Sequence, residues 1–194
     1  RELELCPYMV KLVDIDRTVS RPSTPAFSFG STLHAALAAF FRRGGPSRLS
    51  AEDLVALFHA KWVDAGFTSA QERAAFIREG EEICRGVHAK WRVEDARFLE
   101  AEVYHETTFA SGEVDLLLKG RFDALFERSG GVLEVLDFKT GAPRTQEQVS
   151  EDIGVPIYWV LARHYRPSYE HVQVCNYYLR TLERVVARAV PRAG

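Results

Sequence analysis

The chain has 194 residues, 46% hydrophobic and 27% charged, which suits one globular core and is unlike a disordered or collagen-like chain. Its net charge of −2 excludes a polycation that coats nucleic acid without specificity. No apolar run reaches the roughly 18 residues of a membrane span, and three scattered cysteines, Cys6, Cys84 and Cys175, form no disulfide framework.

The opening Arg1-Glu2-Leu3-Glu4-Leu5 lacks a signal peptide's apolar core, and reduced thiols fit a cytoplasmic protein with no membrane partner. Twenty arginines against five lysines suit phosphate contacts, but a GC-rich genome accounts for that bias better. Residues 2–15 place Leu3, Leu5, Met9, Leu12 and Val13 at loosely helical spacing. Residues 17–29, with two prolines and several Ser and Thr, read as a loop. Ser31 then reads as the N-cap of a helix whose stripe is Leu33, Leu37, Phe40 and Phe41, ended by Gly44-Gly45-Pro46.

Ser50-Ala51-Glu52-Asp53 is a capping-box variant opening a helix with Leu54, Leu57, Phe58 and Trp62. A further helix runs from Ser69 to about Trp91, with Ala75, Phe76, Ile83 and Val87 inward. From about residue 97 the period changes to that of strands, over Phe98–His105 and Thr107–Phe109. Asp115–Phe122 and Val132–Lys139, joined through Ser129-Gly130-Gly131, read as an antiparallel hairpin. Residues 147–165 read as a helix, Glu170–Leu179 as a strand, and Thr181-Leu182-Glu183 as a turn back into Arg184–Val190. The order predicts a mixed α/β (α+β) single domain over 1–194, with a helical part at about 31–92 and a sheet core at about 97–190.

The chemistry concentrates in the hairpin. Asp123 precedes Asp137-Phe138-Lys139-Thr140-Gly141 by fourteen residues. Asp137 and Lys139 share a strand face, and Asp123 can sit beside Asp137 on the partner strand. Two carboxylates about 4 Å apart repel by on the order of 4 kcal/mol at an effective dielectric near 20. A shared proton, the lysine or a divalent cation must offset this, and hard oxygens suit Mg²⁺ or Mn²⁺. A lysine there can act on an attacking water or stabilise charge on a phosphate, so metal-assisted phosphodiester hydrolysis is expected. Glu134 falls on the opposite strand face and is left out; Glu102 reads better as a solvated glutamate than as a second-metal ligand. His34 lies within an apolar stripe, where a lone histidine is more often core or surface than ligand, and His59, His88, His105, His164 and His171 show no ligand spacing.

Gly120-Arg121-Phe122-Asp123 followed by Asp137-Phe138-Lys139-Thr140-Gly141, with Gly30-Ser31-Thr32-Leu33-His34 and Cys6-Pro7-Tyr8 upstream, resembles the PD-(D/E)XK nuclease superfamily, in particular its RecB-like branch. The resemblance runs from about residue 3 to about residue 180. It implies a restriction-endonuclease-like core with a central mixed sheet flanked by helices, and an N-terminal helical insertion as lid or channel wall. It further implies His34, Asp123, Asp137 and the Phe138 backbone carbonyl as ligands of Mg²⁺ or Mn²⁺. Lys139 then stands beside the attacking water, and Tyr158, Thr140 and Arg121 contact substrate.

The implied activity is a DNA nuclease, an exonuclease before an endonuclease, on single strands or ends in repair or recombination. The branch usually carries Gln-X-X-X-Tyr where this chain has Gly154-Val155-Pro156-Ile157-Tyr158. That departure motivates a rival reading, a weak or inactive DNA-binding module of a helicase–nuclease complex; a hydrolase of RNA or nucleotides is a third. Some members hold an iron–sulfur cluster on four cysteines, one early and three late; no late cysteines follow Cys175, so none is expected. No Gly-X-X-X-X-Gly-Lys-Ser/Thr loop is present, so any motor is expected in a separate helicase or recombination protein or in a missing part of the protein.

Overall fold

The computed structural model describes residues 23–111 and 114–188. The helical reading of residues 2–15 and the Cys6-Pro7-Tyr8 segment lie outside the described residues. Helix α1 spans Pro25–Arg42, and the Thr24 hydroxyl accepts the Phe27 N–H at 3.2 Å. The expected loop therefore ends earlier, and Ser31 lies inside the helix instead of capping it. Proline is the reason: in the first helical turn its missing N–H costs nothing and its fixed φ favours the helix, so Pro25 starts α1. The inner face of α1 buries Phe29, Leu33, Leu37, Phe40 and Phe41.

Helix α2, Ala51–Ala60, opens with the expected capping box between Ser50 and Asp53. Helix α3, Ala70–Trp91, is capped by Ser69. A Cβ on Gly80 of α3 would stand 2.2 Å from the Phe58 ring, so only glycine allows α2 and α3 to approach this closely. None of the described helices is long and apolar enough to cross a membrane.

The sheet contains β1 (Ala96–Ser111), β2 (Val114–Arg128), β3 (Val132–Lys139), β4 (His171–Tyr178) and β5 (Glu183–Val186), in that spatial order. Neighbours are antiparallel except β3 and β4, which are parallel. A parallel pair needs a crossover, and α4 (Gln146–Ser150) with α5 (Gly154–Tyr165) provides it. The two strands expected between Phe98 and Phe109 are one strand, with a register shift between Phe98 and Glu100. The single helix expected over 147–165 is two: the Asp152 carboxylate accepts the Gly154 N–H at 3.0 Å and starts a new helix.

Alternation along β3 divides the core. Leu136 and Phe138 pack with α1, α2 and α3 on one face, while Leu133 and Val135 pack with α5 on the other. The result is an α/β fold, a central mixed sheet flanked by helices with a helical N-terminal region. Glu134 is fully buried, pairing with Arg128 at 2.6 Å, accepting from Gln173 at 2.8 Å and meeting Arg184. Removing one partner of a buried pair strands the other charge. Glu134→Ala is expected to lower stability by about 3 kcal/mol, read as a lower urea midpoint with an unchanged m-value; an unshifted midpoint would show that the network contributes nothing.

Candidate active site

The site forms where β2 peels away from β3. Their pairing ends at Ala124↔Leu136, one step before Asp123 and Asp137. Phe122 packs in the α5-side core and Ala124 in the α1-side core, so β2 changes face at Asp123. The Asp123 carboxylate then accepts the Phe138 N–H at 2.8 Å. At the same residue, His34 Nε2–H donates to the Phe138 carbonyl at 2.9 Å. His34 Nδ1 stands 3.4 Å from Asp123 Oδ1. The Phe138 ring is anchored in the core against Phe41 and Tyr177, which fixes its backbone for both contacts.

The third member comes from β1. The flanking pairs Ala101↔Ala124 and Val103↔Phe122 put Glu102 opposite Asp123. Its φ of 52° lies in the left-handed region, a strained conformation for a non-glycine residue. His34, Glu102 and Asp123 each present a ligand atom within 4.8 Å of the others. Glu102 also pairs with Arg121 Nε at 3.2 Å, its side chain only 22% exposed. It is therefore not the solvated glutamate that the sequence favoured. The register shift in β1 hides its position from a count of residues.

Asp137 lies beside this group with Lys139, whose Nζ is 2.6 Å from Asp137 Oδ2. Burial raises the Asp137 pKa; Lys139 opposes the rise and Asp123 adds to it. Asp123 moves the other way: burial again opposes its charge, but the His34 contact and the Phe138 N–H outweigh it and lower its pKa. For His34, burial disfavours the cation, yet Asp123, Asp137 and Glu102 together raise the pKa. Lys139 is likewise raised, burial being outweighed by Asp137. Neighbouring carboxylates whose environments push their pKa values apart are the pattern of an acid–base or metal site. The imidazole of His34 and the carboxylates of Glu102 and Asp123 are a donor set that can hold a divalent cation, with Asp137 beside that group and outside it.

The expected substrate contacts surround this cluster. Arg121 and Thr140 line an open groove of about 850 Å³ that also takes in His34 and Glu102. Tyr158 rises from α5 above Gly120, where a Cβ would meet Leu161 Cδ1 at 2.9 Å and Tyr158 Cε1 at 3.2 Å. Glycine at this place in the Gly120–Asp123 motif thus lets α5 lie close on β2. Burial raises the Tyr158 pKa, and Asp137 and Asp123 add to it, so its hydroxyl stays a neutral donor. Glu134 is held in its own ion-pair network on the other side of its strand. Cys84 and Cys175 are buried free thiols, each pushed up to about 12 chiefly by burial.

A family model described as the PD-(D/E)XK nuclease superfamily matches residues 1–191. Among solved structures, the crystal structure of SSO0001 is similar at 12% identity, covering 94% of this chain and 77% of that one, with a TM-score of 0.30. No curated protein matches the chain. Since the family match covers nearly the whole sequence, this chain belongs to the PD-(D/E)XK nuclease superfamily.

Proposed function

We propose that the chain is a metal-dependent deoxyribonuclease of the RecB-like type, a single domain with Asp123, Asp137 and Lys139 as its catalytic residues. An exonuclease acting on single strands or DNA ends, in repair or recombination beside a separate helicase or recombination protein, is the form that we favour. The two buried free thiols agree with a cytoplasmic setting. The observation that carries the reading is the convergence of His34, Glu102 and Asp123 next to the Asp137–Lys139 pair.

These residues, with Asp137 and the Phe138 carbonyl, would hold Mg²⁺ or Mn²⁺. Such a cation, when bound, supplies Lewis-acid polarisation of the phosphodiester and a more acidic water. The protein's own groups do the rest. Lys139 is a cation at neutral pH, so its direct role is to orient the water and stabilise charge developing on the phosphate. Asp137 holds that ammonium in place. Arg121 steadies Glu102 and keeps further N–H groups toward the groove for phosphate. Tyr158 offers a neutral hydroxyl from above.

The rival reading, a module that binds DNA without cutting it, draws on Gly154 in place of the branch's glutamine. End-labelled single- and double-stranded DNA, incubated with Mn²⁺, Mg²⁺ or EDTA, separates the two. Metal-dependent cleavage is expected, reduced about 100-fold or more by Lys139→Ala, as for loss of one preorganised transition-state contact. Binding with no cleavage under any metal would favour the module. Metal binding itself should depend on pH. His34 and Asp137 take up protons more readily than their free counterparts, and a ligand must shed its proton to bind a cation. Mn²⁺ affinity, by titration calorimetry, is expected to rise between about pH 5.5 and about pH 7.5, by on the order of tenfold per unit for each proton displaced. A flat profile would remove His34 and Asp137 from the ligand set.

A further inference from the structure

The groove beside the metal ligands continues along α1. The residues facing it recur at helical spacing, from Phe27 through Ser31, His34 and Ala38 to Arg42. Phe27 lies seven residues before His34, two turns and about 10 Å away along the helix. Phe27 is 68% exposed, and it is the only phenylalanine so exposed among the described residues. The nearby Phe29, by contrast, packs edge-on against Phe58 and Phe76. A single exposed apolar side chain needs no explanation on an ordinary surface. This one stands in the same groove as the candidate metal ligands.

Cations border the groove as well. Lys61, Arg42 and Arg121 line it, and Lys61 has no carboxylate partner among the described residues. Past Arg42, the end of α1 opens onto a second cavity of about 750 Å³ that carries Arg43, Arg48, Arg92 and Arg97 against Glu94 and Asp95, with Arg97 paired to Glu127 at 2.6 Å. The path therefore has an aromatic face at one end, the carboxylate cluster in the middle and arginines at the other end. Paired bases keep their faces stacked inside a duplex, whereas an unpaired base can lie on an aromatic ring while cations hold the phosphates.

We propose that this path binds single-stranded DNA along α1, with Phe27 stacking an unpaired base about two helical turns from the metal ligands. The proposal rests on the nuclease reading for its substrate class, and it assigns to Phe27 the discrimination between single strand and duplex. Arg42, Lys61 and Arg121 hold phosphates without regard to sequence.

The test is fluorescence anisotropy in EDTA with labelled dT12 and a labelled 12-base-pair duplex, using the wild type, Phe27→Ala and Phe27→Trp. Urea midpoints establish that each variant is folded. Tighter binding of dT12 than of duplex is expected. Phe27→Ala should weaken dT12 binding about 5- to 100-fold, as for loss of one base–aromatic stack, and leave duplex binding unchanged. Phe27→Trp should restore it. Equal loss on both DNAs, no loss on either, or tighter binding of duplex by the wild type would overturn the proposal. Cleavage of dT12 in Mn²⁺ is scored separately. Cleavage with Phe27→Ala unimpaired in strand affinity refutes the strand path and leaves the nuclease standing. Phe27-dependent strand selectivity without cleavage supports the path and refutes the nuclease.

Discussion

The local separation of β2 from β3 is the constraint on which the site depends. Beyond Ala124↔Leu136 the two strands no longer exchange ladder hydrogen bonds. Phe138 would then be left with an unpaired backbone donor and an unpaired backbone acceptor, each costing about 1–3 kcal/mol if buried without a partner. Two side chains fill the gap: Asp123 accepts from the N–H and His34 donates to the carbonyl. The residues that can hold a cation are therefore first required by the backbone. That requirement aligns α1 with the strand ends, because His34 reaches Phe138 only if its helix lies over the α1-side core that Phe41 and Phe138 build together.

Charge is then distributed so that no carboxylate stands alone. Asp123 has an imidazole and a peptide N–H, Asp137 has Lys139, and Glu102 has Arg121. Each partner is a donor with a second possible use, on a substrate phosphate or a water. The opposite shifts of Asp123 and Asp137 show that these partners only partly relieve the crowding: burial and the Asp123 charge still raise the Asp137 pKa against the pull of Lys139. A divalent cation relieves the same crowding more completely, which is why acidic groups this close are stable in a metal site and costly elsewhere. Glu134 shows the structural alternative. It is fully buried, but among two arginines and a glutamine, and Glu94, which shares Arg128 at 2.7 Å, meets a different guanidinium nitrogen.

Much of this was legible because the β2–β3 turn is short. Gly130 and Gly131 take positive φ, Arg128 pairs with Val132, and counting outward from there brings Asp123 level with Asp137. Face alternation along β3 likewise separates Glu134 from Asp137. The Ser50 and Ser69 caps were readable because a cap is a local hydrogen bond. Glu102 was not readable, since its place opposite Asp123 depends on a register shift at Phe98/Glu100 and on a left-handed residue, neither of which leaves a mark in residue type. Pro25 was ambiguous in kind: proline ends a helix or begins one, and only the Thr24 hydroxyl on the Phe27 N–H decides. The break between α4 and α5 escaped because Val149, Ile153 and Ile157 keep helical spacing across it.

That break also changes the meaning of Gly154 and Pro156, which stand where the RecB-like pattern that the sequence resembles has Gln-X-X-X-Tyr. Within one long helix, Pro156 would remove a hydrogen bond and collide with the preceding turn. In α5, which begins at Gly154, it occupies the first turn, where an N–H has no intrahelical acceptor and its absence costs nothing. Gly154 is thus the opening residue of the helix that carries Tyr158, and its N–H is held by Asp152. A Cβ there would stand 3.2 Å from Asp152 Oδ1, tight but short of a clash. The carboxylate that fixes the start of α5 is itself tied to Arg144 at 2.7 Å. Compared with the RecB-like pattern, glycine at 154 therefore offers no polar side chain on the helix face above the site. It leaves in place the packing of Tyr158 and Leu161 over Gly120 that determines where that helix lies.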